Sequence, residues 1–319
     1  MKIINPSFTI LEQGAGLDGM HKHIEIAGRT CYKSEDKITD GSAQKFVERM
    51  INSGHGAMLE HGTVYLYFPW VSMGGEESKY ARNKYSKSVF YSNHSSDENG
   101  NCRIIPIEYG QAGHYVTTNL RVLVENGWMD DLKFLCEPTQ YHEKRITVLF
   151  HTQIAISREF NRHRVDSVAE SSTRYCNYSK DKFGSEITIN LPSWIDRSEL
   201  EQKDMNHYNL MVMYQQLADH WNCRKDIYPK NFVALDYWLL ANLTAEYCYM
   251  GLVNSGWQAQ QARTILPLDT NTDLVHTAFV SDWKHFFDLR ATGTTGKPHP
   301  DASCLAIPLY EEFKNQNII

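Results

Sequence analysis

RHRVDSVAESS, residues 162–172, closes a segment whose apolar residues Ile154, Ile156 and Phe160 recur at helical spacing, and Thr173, Arg174 and Tyr175 follow it directly. Three consecutive cationic or cationisable side chains, Arg162, His163 and Arg164, repel one another unless an anion neutralises them. A guanidinium offers a planar fork of donors matched to phosphate oxygens. These arginines beside the hydroxyls of Ser171, Ser172 and Thr173 therefore read as a phosphate cradle. Taken alone, a basic triplet is more often a solvated helix end. Arg158 and Arg162 are four apart, and on one continuous helix they would share a face.

Length and charge narrow the classes that such a cradle can serve. The chain has 319 residues, enough for one large domain or two small ones with a substantial core. Its formal net charge of -6 gives no global basic field for nucleic acid or anionic membrane, so phosphate affinity must be local. Pro6, Gln13 and Asp18 interrupt the N-terminus before an apolar leader could form, and no apolar run of about 18 residues occurs; a cytoplasmic protein without a membrane segment is expected. The seven cysteines are scattered, odd in number and without a C-x-x-C pair, and read as reduced thiols. No Cys/His cluster at ligand spacing appears, so no metal is expected, and His21 and His23 read as exposed helix residues.

Along the chain, a short strand near 8–11 breaks at Gly14. Gly14, Gly16 and Gly19 match G-x-G-x-x-G, but a dinucleotide fold needs a helix and a second parallel strand, and the next periodic segment, 43–53, is another helix. The run from Gly293 to Lys297 fails as a phosphate loop because Ala291 stands where its first glycine belongs and Pro298 follows the lysine. Strands are expected at 63–68 and 146–151. Between them the polar segment 86–101 reads as a loop, and 115–125 as a helix stopped by Gly127. Helices are expected at 199–222, 234–252 and 281–290, with a final amphipathic one carrying Leu305, Leu309 and Phe313. Strands and helices without β-α-β alternation argue an α+β fold: a central, mostly antiparallel sheet packed with helices, in a single domain with an insertion at about 70–145.

Arg-His-Arg, seven residues, then Ser is the signature of the flavin-dependent thymidylate synthases, and the chain resembles that family further in AGRTCY (27–32), GHGAMLEH (54–61), ARTILP (262–267) and FFDLR (286–290). The segment at about 70–145 lies outside the minimal family pattern. The resemblance implies reductive C5 methylation of dUMP to dTMP, with methylenetetrahydrofolate as carbon donor, FAD as carrier and hydride source and NADPH as reductant. It also implies a homotetramer with sites drawn from several subunits. It places Arg162, His163 and Arg164 against the flavin, joined by His55, Ala57, Glu170, Ser281 and His285. Glu159, Arg162, Glu170, Ser171, Ser172, Thr173 and Arg174 fall at the nucleotide, and Arg263 reaches a phosphate from a neighbouring subunit. Arg290 contacts the pyrimidine near N3 and O4, where fixed positive charge stabilises negative charge as C5 attacks, and is the expected catalytic residue. Ser172 is not read as a nucleophile, because no histidine base or oxyanion arrangement adjoins it in sequence.

Several residues depart from the family pattern. Ala57 stands where many relatives have a hydroxyl, Cys31 where many have serine and Glu159 where many have glutamine. Ser281 and His285 replace arginine and asparagine, and Asp166 stands where an aromatic residue is frequent. Two rival functions remain: methylation or hydroxymethylation of a related pyrimidine nucleotide such as dCMP, and non-enzymatic nucleic-acid binding through 162–174 with Tyr175 and Tyr178 as stacking platforms. The acidic balance opposes the second, which depends on many cation contacts.

Overall fold

The structure, a computed structural model, describes residues 1–69, 78–91, 94–96, 102–104, 112–180, 184–203, 215 and 232–319. Its strands in chain order are β1 (Lys2–Ile4), β2 (Ser7–Leu11), β3 (Thr63–Pro69), β4 (Lys87–Tyr91), β5 (His94–Ser96), β6 (Cys102–Ile104), β7 (Gly113–Asn119), β8 (Arg145–Gln153), β9 (Ser167–Glu170), β10 (Thr188–Asn190) and β11 (Asn271–Phe279). Four of them form the sheet that carries the site, in the order β2-β8-β11-β9, and every pairing in it is antiparallel. With helices packed against both faces, this is the expected α+β architecture. β2 does lead through Gly14 into a helix, Gly16–Tyr32, but its neighbour β8 is antiparallel, so the glycine run is not a dinucleotide loop. Among the described residues no helix is long and apolar enough to cross a membrane.

Successive residues of a strand face opposite sides, and β11 uses both. Leu274 and Ala278, with Val148 and Phe150 of β8, join Phe160, Trp283, Phe286, Leu309 and Phe313 in one core. Val275 faces the other way, onto Ala27 and Cys31 of Gly16–Tyr32. The stripe Leu305, Leu309, Phe313 fastens the helix Pro300–Asn315 to the sheet. Truncating a fully buried ring such as Phe313 to alanine costs about 3–5 kcal/mol.

The helix Gly16–Tyr32 is covered on two sides. Ala27 and Cys31 meet the main sheet, while Met20 and Ile24 enter a second core with Phe46, Val64, Leu66 and Val116. Gly28 permits the approach of the helix Ser42–Asn52, since a Cβ there would lie 2.3 Å from the Phe46 ring. His23 is therefore buried, contrary to the exposed position expected of it.

The second core is built on an antiparallel sheet of its own, β3-β7-β4. Segment 115–125 is not helical throughout. The run Tyr115-Val116-Thr117-Thr118 favours strand and pairs with β3; the helix Leu120–Asn126 begins only after Asn119, whose side chain accepts the Val122 N–H at 3.1 Å. Gly127, at φ 70°, ends it as expected. Lys87–Tyr91, read as part of a loop, pairs with the other side of β7, and His94–Ser96 pairs with Cys102–Ile104. The remainder of 86–101, apart from Ser86, lies outside the described residues. So does nearly all of the expected helix 199–222, of which Arg197–Glu201 is seen. The helix expected at 234–252 is observed as Ala234–Asn254.

Candidate active site

The helix Ile154–Phe160 continues directly from β8 and ends at Asn161. Arg162 therefore lies beyond it, and the shared face expected for Arg158 and Arg162 does not exist. Arg158 lines one cavity and Arg162 another. The second of these, about 820 Å³, is lined by Arg162, His163, Arg164, His285, Arg290 and Lys297, with Glu159, Asp166, Asp282 and His299 at its walls. Among the described residues here an ion pair joins Arg290 to Glu159 and a side-chain contact of 2.6 Å joins His276 to Asp166; no ion pair engages Arg162, Arg164 or Lys297. The cavity keeps uncompensated positive charge for a ligand.

His163 is buried, its ring centroid 5.8 Å from that of His285 and 5.1 Å from that of Phe286. Burial, reinforced by His276, pushes its pKa down to about 4, so the ring is neutral near pH 7; its Nε2 has no partner among the described residues. Arg290 is carried by a π-helical turn, Asp288–Thr292, that extends Val280–Phe287. Trp283, Phe286 and Phe287 bury that helix and aim the turn. The Arg290 fork donates to the Glu159 carboxylate and, at 2.7 Å, to the Glu159 carbonyl. Gly293, at φ 71°, then reverses the chain and brings Lys297 to the cavity.

The other cavity, about 710 Å³, is a hydroxyl-bearing shelf of Ser171, Ser172 and Thr173 with Arg158, Glu170 and Arg263. Pairing of Glu170 with Leu274 fixes the end of β9. Glu170 accepts hydrogen bonds from Ser157 (2.7 Å), Thr272 (3.0 Å) and Asn161 (3.4 Å). The Ser171 N–H donates to the Asp273 carbonyl at 2.8 Å while the Asp273 N–H donates to the Ser171 hydroxyl at 3.1 Å. The Ser172 N–H donates to the Cys31 carbonyl at 2.9 Å, and Arg263 donates to the Thr173 hydroxyl at 3.2 Å. Arg174 is exposed, its guanidinium 5.4 Å from the Tyr175 ring centroid, and lines neither cavity. Tyr178 packs against Tyr249 at 5.6 Å, so of the two proposed stacking platforms only Tyr175 is exposed.

Within one chain the remaining expected residues lie apart. His55 caps the short helix Gly56–Leu59 and lines a separate groove of about 470 Å³ with Arg29, Tyr32, Lys37 and Arg49. Ala57 is exposed on that helix and lines none of the three cavities. Ser281 accepts a hydrogen bond from Lys87 at 2.9 Å, and its N–H donates to Glu143 at 3.0 Å. Sequence reasoning missed Lys297, which sat in a motif rightly rejected, as well as Asp282 and His299. It had noticed Asp166 without a role for it; here its carboxylate pairs with His276.

Residues 141–316 match the family described as thymidylate synthase complementing protein. A flavin-dependent thymidylate synthase from Corynebacterium aurimucosum is 41% identical over 51 residues, a match spanning 15% of this chain and only 20% of that protein. Similar solved structures include the UMP/dUMP methylase PolB from Streptomyces cacaoi bound with 5-Br dUMP (16% identity, 98% of this chain and 93% of that one, TM-score 0.38). Thymidylate Synthase X from Helicobacter pylori with FAD and dUMP is another (12% identity, 96% and 92%, TM-score 0.35). With residues 141–316, more than half of its length, matched by the family pattern, the chain belongs to the thymidylate synthase complementing protein family.

Proposed function

We propose that the protein is a cytoplasmic flavin-dependent thymidylate synthase, converting dUMP to dTMP with methylenetetrahydrofolate, FAD and NADPH, with active sites shared between the subunits of a homotetramer. The observation that carries this reading is the division of the signature residues, in a chain of this family, between a cationic cavity and a hydroxyl shelf. The cavity residues suit FAD. Arg162, Arg164 and Lys297 supply unpaired charge for a pyrophosphate, and the neutral His163 ring, with its unpartnered Nε2, suits a flat heterocycle. When bound, the flavin supplies the hydride and carries the one-carbon unit.

The protein's own residues then bind, orient and stabilise charge. Ser171, Ser172 and Thr173 with Arg158 and Arg263 hold the nucleotide phosphate. Arg290, its fork set in plane by Glu159, stabilises negative charge developing on the pyrimidine. Ser172 needs no base, and no histidine bonds to it among the described residues. A second reading, transfer to a related pyrimidine nucleotide, draws on Glu159. A carboxylate accepts where a glutamine can also donate. Arginine beside an acceptor therefore fits uracil through O4 and N3–H, or cytosine through N3 and its amino group one position over.

Titration with FAD tests the reading first: a flavin absorption band that saturates is expected, and an unchanged spectrum overturns it. Loss of tritium from C5-labelled nucleotide then separates substrates. Release from dUMP faster than from dCMP supports thymidylate synthesis, and the reverse order supports the second reading.

A further inference from the structure

We propose that Asp166 and His276 act as a positioning pair that fixes the Arg162–Arg164 loop over its cavity. Asp166 follows the basic triplet by two residues, and its N–H donates to the His163 carbonyl at 3.2 Å, so it belongs to the same turn. His276 sits in β11, paired on one side with Val148 and on the other with Val168. Its Nε2 lies 2.6 Å from the Asp166 Oδ2, and the two side chains are 0% and 1% exposed. One end of the pair is thus anchored in the middle of the sheet, and the other carries the loop.

The cost of this arrangement argues that it does more than stabilise. Asp166 Oδ1 and His276 Nδ1 have no partner among the described residues, and a buried polar atom left unpaired is unfavourable. The His276 end is packed among aromatic rings, 4.7 Å from Trp283, 5.8 Å from Phe286 and 6.4 Å from Phe150, while the Asp166 end faces the ionisable groups of Arg145, His163 and Asp282. Well-packed apolar residues in place of such a pair are often neutral or stabilising. What an apolar pair lacks is a directional link. Phe286 neighbours both rings, its centroid 5.8 Å from that of His276 and 5.1 Å from that of His163. Release of Asp166 therefore frees the triplet and the ring that faces the cavity together.

The test uses Asp166→Leu, His276→Leu, their double variant and Asp166→Asn in the full chain. Leucine fits the aromatic packing around His276, and Tm recorded for every variant shows whether the fold is kept. Trypsin reads the loop directly, because Arg162 and Arg164 are cleavage sites, with Arg197 and Lys314 as internal controls. Either leucine variant is expected to be cut at Arg162 or Arg164 about tenfold faster than the wild type, with Tm equal or higher and the control sites unchanged. The double variant should be no faster than the faster single one, as coupled residues require. Asp166→Asn, which still offers an acceptor to His276, should stay within about threefold of the wild type. Titration with FAD, which rests on the proposed function, should show affinity falling about tenfold with the same non-additivity. Unchanged cleavage at the loop, equal acceleration at all four sites, or additive singles overturn the proposal. A wild type that binds no FAD overturns the proposed function, while the trypsin result still decides the pair.

Discussion

The cavity around Arg162–Arg164 and the shelf of Ser171–Thr173 flank one short helix, yet they are organised in opposite ways. The shelf is tied down by hydrogen bonds: Glu170 accepts three, and Ser171 exchanges two with Asp273. The cavity leans on packing, through Trp283 and Phe286, with the Arg290–Glu159 and His276–Asp166 contacts as its side-chain ties, and three of its cations have no carboxylate partner among the described residues. The shelf presents Arg158 and Arg263 beside hydroxyls already oriented by hydrogen bonds, whereas the cavity gathers more unpaired cations and depends on an anion to offset them. The helix Ile154–Phe160 divides them, with Arg158 on one side and Arg162 past its end on the other.

The sharpest way to break this division is to damage each half in a separate chain. Arg290→Ala should lower turnover by about 10²–10³, the loss typical of one transition-state donor, and Arg263→Ala, which removes a charged phosphate contact, should lower activity at subsaturating nucleotide by about ten- to a hundredfold. If the shelf of one subunit completes the cavity of another, tetramers reassembled from equal amounts of both variants contain some sites with neither lesion. Activity should then return to about a quarter of the wild-type value. No recovery would mean that both halves serve a site within one chain, and the comparison would fail.

Acid stability comes next, because loss of fold must be separated from loss of either half-site. His23, buried beneath the sheet with Nε2 2.8 Å from the Thr147 hydroxyl, has its pKa pushed down from 6.5 to about 4 by burial and then by Arg145. Unfolded chains bind that proton more readily, so the contribution is present above pH 6.5 and lost as pH falls through about 4. Its full size is about 3 kcal/mol. His23→Gln keeps a polar partner for Thr147 and should flatten the decline in Tm between pH 7 and 5. An unchanged slope would assign the acid sensitivity elsewhere, with His163 in the cavity the next group to replace.

Local periodicity carried much of the fold and little of the partition between the half-sites. The stripe of Leu305, Leu309 and Phe313 and the strand Arg145–Gln153 were legible because each depends on spacing within one segment. Lys87–Tyr91 and Gly113–Asn119 were misread because their strand character depends on pairing across more than twenty residues. His23 reads as an exposed helix residue because spacing within one segment does not record that the helix is covered on two sides. The Arg158–Arg162 pairing failed for a similar reason: a spacing of four has meaning only while the helix lasts, and it ends at Phe160. The signature residues were found, but their separation depends on the register of Glu170 against Leu274, which no local pattern records.

A smaller effect is expected on the shelf. Ser172→Ala removes one hydroxyl and leaves the backbone bond to Cys31 intact, so substrate affinity should weaken by about 1–3 kcal/mol while turnover at saturation persists. Equilibrium binding of dUMP and single-turnover rates separate these quantities. Abolished turnover with cofactor still bound would give Ser172 a chemical role, and the shelf would no longer be a mere holder.

The smallest effect marks the outer limit of the cavity. The resemblance leads one to expect Ser281 at the flavin, yet here its hydroxyl accepts from Lys87 of β4 and its N–H is held by Glu143, which also lies 3.8 Å from Lys87. Exposed pairs of this kind contribute about 0–1 kcal/mol, so Lys87→Ala should barely change Tm. If Ser281 belongs to this surface tie, Ser281→Ala should leave the FAD dissociation constant within about twofold, since no bond to the cofactor is lost. If Ser281 belongs to the cavity, Lys87→Ala frees its hydroxyl and tightens FAD, whereas Ser281→Ala weakens FAD by about tenfold. Titrating the two variants side by side distinguishes these cases by sign as well as by size. A tighter Lys87→Ala together with a weaker Ser281→Ala would extend the cavity to the edge of the second sheet, and the three-stranded β3-β7-β4 unit would become part of the site.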